Sequence, residues 1–68
     1  AMNLHLCTII LSDNSTLLCN TVEQCLSVID DYGKDNIEKV FIDATDGVNI
    51  NAYHKLSVEE SIESLMNL

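Results

Sequence analysis

Thr21-Val22-Glu23-Gln24-Cys25-Leu26 carries the signature of a helix start, and Ser57-Val58-Glu59-Glu60-Ser61-Ile62 repeats it almost position by position. In each, a hydroxyl at the first position accepts from the amide three residues on, while Gln24 or Glu60 reaches back to the cap. Behind the first cap, Val22, Cys25, Leu26 and Ile29 recur at i, i+3, i+4 and i+7. They form one apolar stripe, which ends at Gly33, a natural left-handed C-cap after Tyr32. Behind the second cap, Val58, Ile62, Leu65 and Met66 mark a helix reaching the C-terminus.

Upstream of each cap lies a pair of extended runs. Residues 4–11 (Leu-His-Leu-Cys-Thr-Ile-Ile-Leu) favour a strand with apolar side chains on both faces. Ser12-Asp13-Asn14-Ser15 then supplies a turn, and residues 16–19 extend again, which predicts a hairpin. Residues 37–44 and 48–56 are a second pair, joined through Thr45-Asp46-Gly47, the strongest short-range hairpin signal in the chain.

The register of that second hairpin has two solutions. A two-residue loop at Asp46-Gly47 pairs Phe41 with Ala52 and Asp43 with Ile50. A three-residue loop with Gly47 at a bulge sets Val40, Ile42, Ile50 and Ala52 on one face. The second is expected, because the first buries Asp43 without a partner at a cost of several kcal/mol.

The two halves, residues 3–33 and 37–68, thus share one plan, by duplication or by convergence on good capping chemistry. The expected fold class is α+β in two layers: a four-stranded antiparallel sheet with two helices on one face, in the order ββαββα. At 68 residues the chain forms a single domain, 1–68, because it buries only about 60% of its extended surface and cannot divide that core. Ala1 is read as a cloning remnant ahead of the initiator methionine, and the 4–11 run is too short and lacks the basic flank for a signal peptide. A cytoplasmic location is expected.

Charge is the most unusual global property. Eleven carboxylates oppose three lysines, arginine is absent, and the formal charge is −8. Such a body repels nucleic acid and anionic membrane, so neither is an expected direct partner. A basic protein surface is attracted instead.

Cys7, Cys19 and Cys25 are odd in number and lack metal-site spacing, so they are expected as reduced, buried core residues. His5 and His54 are far apart in sequence and form no zinc pattern. The glycines, Gly33 and Gly47, are isolated, which removes any phosphate-cradling loop. Residues 43–49 only superficially resemble a calcium loop, lacking a glycine at its sixth position and the distal bidentate glutamate. Asn14-Ser15-Thr16 matches a glycosylation acceptor, read here as turn chemistry. No catalytic, metal-binding or cofactor-binding residue and no cofactor are expected, and the chain reads as not an enzyme.

Two surfaces remain. The carboxylates Glu23, Asp30, Asp31, Asp35, Glu38, Glu59, Glu60 and Glu63 gather on or beside the helices. The uncovered sheet face is expected to present Phe41 and Tyr53 with Lys39, Asp43, Asn49 and Asn51. The first strand adds to it either Leu4, Leu6 and Ile10 or His5, Cys7, Ile9 and Leu11. The leading expectation is a small acidic protein-binding inhibitor that occupies a basic, nucleic-acid-binding surface, as phage anti-defence proteins of the anti-CRISPR or anti-restriction kind do as nucleic-acid mimics. The alternative is a homodimeric structural or regulatory module that binds through the open sheet face.

Overall fold

The computed structural model describes residues 2–68, so Ala1 lies outside the described residues. Seven elements follow in order: β1 (Asn3–Leu11), β2 (Thr16–Cys19), α1 (Val22–Tyr32), a 3-10 turn (Lys34–Asn36), β3 (Ile37–Thr45), β4 (Ile50–Tyr53) and α2 (Val58–Met66). The strands form one antiparallel sheet in the order β2-β1-β3-β4, and the fold is α+β in the ββαββα order.

Both helix starts form where the capping residues place them. Ser57 and Glu60 make a reciprocal box, the Glu60 amide donating to Ser57 Oγ at 3.1 Å and the Ser57 amide to Glu60 Oε1 at 2.9 Å. In α1 the Thr21 hydroxyl accepts from the Gln24 amide at 3.1 Å, but Gln24 Oε1 takes the amide of Asn20, one residue before the cap. Gly33 closes α1 with φ +81°, its amide donating to the Ile29 carbonyl. Asn36 Nδ2 donates to the Tyr32 carbonyl at 2.7 Å. α2 stops at Met66, two residues short of the C-terminus.

The core lies between the helices and one face of the sheet. Cys7, Ile9 and Leu11 from β1, Cys19 from β2, and Ile37, Val40 and Ile42 from β3 meet Cys25 and Ile29 of α1 and Leu65 of α2. Two bulges make this set possible. β1 pairs Leu4 with Ala44 and Leu6 with Asp43, so His5 is the extra residue and Leu4 shares the core face with Cys7. At the other end Ile10 opposes Lys39 and Leu11 opposes Ile37, which makes Glu38 extra and turns Ile37 inward. The first strand therefore follows neither simple alternation: Leu4, Cys7, Ile9 and Leu11 face the helices, while Leu6 and Ile10 face away.

The β3–β4 hairpin departs from the expected register. Ile42 pairs with Tyr53, Asp43 with Ala52, Ala44 with Asn51 and Thr45 with Ile50, around a four-residue loop, 46–49. Asp46 Oδ1 accepts the amides of Val48 at 2.9 Å and Asn49 at 2.8 Å, and Thr45 Oγ1 donates to the Asn49 carbonyl. These side chains capture the backbone groups that a tighter loop would have given to the ladder, which also shortens β4 from the expected 48–56. Ile50 and Ala52 consequently share the outer face with Asp43, while Asn51 and Tyr53 turn to the helix side. Asp43 lies on the open face as expected, and sharing that face with Ile50 does not bury it unpartnered, because the face is uncovered and Asp43 has a partner in His54.

Candidate functional site

The sheet face away from the helices is ordered in rows across the strands. Thr16, Ile10 and Lys39 form one; Leu18, Thr8 and Phe41 the next; then Leu6, Asp43 and Ala52; and last Asn3, Thr45 and Ile50. Leu18 is 62% exposed and Ile50 57%, which leaves large apolar side chains in solvent on both edge strands. Each edge strand is only four residues long, which limits edge-to-edge pairing.

His54, just past β4, extends the Phe41 row. Its ring lies 5.1 Å from that of Phe41 in an edge-to-face arrangement, and its Nε2 is 2.7 Å from Asp43 Oδ1. This is the sole ion pair among the described residues, in force when the imidazole is protonated. Nothing in the sequence singled out His54, because its proximity to Asp43 depends on the four-residue loop. Of the sheet residues expected to act together, Phe41 is on the open face and Tyr53 is not. Tyr53 lines a groove of about 350 Å³ with Leu56, Glu60, Glu63, Ser64 and Asn67 on the α2 side.

The helical layer is anionic throughout. α1 contributes Glu23, Asp30 and Asp31 and α2 contributes Glu59, Glu60 and Glu63, with no lysine, arginine or histidine on either helix. All six are exposed, as are Asp35 on the 3-10 turn and Glu38 at the β3 bulge. Among the described residues none of these eight carboxylates has a basic group within 4.0 Å. Their surroundings differ. Glu23, Glu59 and Glu60 sit in first turns, where the helix dipole favours them. Glu60 is also bound into the capping box, and the Ser57 amide holds its carboxyl below the usual carboxylate range. Asp30 and Asp31 occupy the last turn of α1, where the dipole disfavours them and no base compensates.

The thiols form the inner cluster. Cys7 and Cys19 are cross-strand partners, Cys25 descends on them from α1, and all three are free and buried. Burial, then a hydrogen bond with Cys25, pushes the Cys19 thiol up to about 12. Cys25 is raised further, first by its hydrogen bond with Cys7 and then by burial. Such thiols carry almost no thiolate at neutral pH. No group of three or more His, Cys, Asp or Glu side chains is placed to hold a metal ion among the described residues. Among the described residues no helix is long and apolar enough to cross a membrane.

No protein-family model, curated protein or solved structure matches this chain.

Proposed function

We propose that this chain is a non-enzymatic protein-binding module whose acidic helical layer docks on a basic surface of a larger protein. The surface it fits is one that otherwise holds nucleic acid, so that binding inhibits, in the manner of phage anti-defence proteins. One observation carries this reading: α1 and α2 bear six exposed carboxylates with no base among them and no ion pair among the described residues, two of them placed against the α1 dipole. Folding alone does not favour Asp30 and Asp31 there, whereas a cationic partner does. Carboxylates on one layer of so small a body stand in for backbone phosphates and steer association with a positive groove.

The test is capture from a host lysate on the immobilised chain, followed by salt elution and competition with duplex DNA. The expected result is a nucleic-acid-binding protein released progressively as salt rises and displaced by DNA. Reversal of Asp30, Asp31, Glu59 and Glu63 to Lys should abolish capture. Glu60 is left intact because its replacement would break the α2 cap. A partner held equally at all salt concentrations, or held by the reversed variant, refutes the proposal.

A further inference from the structure

At its paired strand positions the open sheet face carries no surplus of acid, with Lys39 set against Asp43. Of the eleven carboxylates only Asp43 occupies a paired strand position there, and it is bonded to His54. Around it stand Leu6, Ile10, Leu18, Phe41, Ile50 and Ala52. Along β3 the outward positions read Lys39, Phe41, Asp43: an aromatic ring flanked at equal distance by a cation and an anion. Lys39 has no carboxylate within 4.0 Å among the described residues, and only one oxygen of Asp43, Oδ1, is engaged.

From this self-complementary line we infer that the open face binds a second copy of the same chain. A twofold axis lying between the facing sheets, perpendicular to β3 and passing by Phe41, stacks Phe41 on its twin. It also sets Lys39 of each copy over Asp43 of the other, as an isologous contact requires. Sheets packed face to face stand about 10 Å apart, a gap that a lysine side chain bridges. The acidic helical layers then point outward on opposite sides, about 30 Å apart and beyond the Debye length of about 8 Å at physiological salt. The 34 × 18 Å extents of the molecule bound the face at about 600 Å² per copy, so the two faces must overlap almost completely to reach the roughly 1,200 Å² total where specific interfaces begin. A basic partner has no comparable reason to choose this face, and the pairing leaves the helical layer free.

Sedimentation equilibrium at tens of micromolar decides it. The wild-type chain should have twice the monomer mass, while Lys39→Glu and Asp43→Lys, each confirmed folded by circular dichroism, should be monomers. An equimolar mixture of the two variants should recover the dimer, because each supplies the charge the other lacks. Carbodiimide cross-linking of a wild-type mixture of isotopically light and heavy chains should give an intermolecular Lys39–Asp43 product, a readout that needs no variant. A monomeric wild type overturns the inference and leaves the face to a different protein. Dimeric single variants, a mixture that stays monomeric, or the absence of the cross-link overturns it equally.

Discussion

Ser61 is fully buried on α2, and its hydroxyl meets no hydrogen-bond partner among the described residues. A buried, unpaired hydroxyl costs about 1–3 kcal/mol. Ser61→Ala should therefore stabilise the fold by about 1 kcal/mol, raising Tm by about 4–8 °C in a domain of this size; an unchanged or lower Tm contradicts the assignment. Glu60 gives a pH-dependent counterpart. Its folded carboxyl titrates below the ordinary value of 4.5, so the stability it adds is fully present above that value and lost as pH falls through the folded one. Urea midpoints of Glu60→Gln should lie below wild type at pH 7, and the gap should close towards pH 3. Comparing the two chains at each pH cancels the general relief of self-repulsion. The exposed positions of the helical acids were legible from charge and periodicity. Tyr53 and the Asp43–His54 pair were not, because the face of every β4 residue depends on loop length.

The second helix shows what a sequence says most plainly about an element. Its start rests on bonds within four residues, and Ser57→Ala should cost about 1 kcal/mol, visible as a lower Tm and faster amide exchange in the first turn of α2. Local chemistry of this kind made both helices and the order of elements readable. The hairpin loop at 46–49 also uses local chemistry, but the Asp-Gly signal names a turn without fixing how many residues the Asp46 carboxylate gathers. The bulges at His5 and Glu38 were silent for a different reason. β1 is apolar on both faces, so a one-residue slip changes no visible pattern while exchanging the side each residue faces.

Across the whole molecule, three thiols share a core of isoleucine, leucine and valine, and their chemistry follows from that position. Native protein should react with a thiol reagent such as dithiobis-nitrobenzoate only through opening of the fold, and all three cysteines should react at once in denaturant. Rapid labelling of one cysteine in the native state would instead mark a working thiol.

The central β1–β3 ladder joins the two ββα halves, and the single core draws Cys7, Ile9, Cys25 and Ile29 from one and Val40, Ile42 and Leu65 from the other. Cys7 finds Ile42 only after roughly 35 intervening residues have been drawn into a loop, a closure whose entropy precedes any reward from the core. The helices can flicker in submicroseconds and the hairpins in microseconds, yet committed folding waits for this one long-range encounter. Isolated peptides 3–33 and 37–68 should each remain unstructured in solution and, mixed, should complement one another into a single cooperative unit.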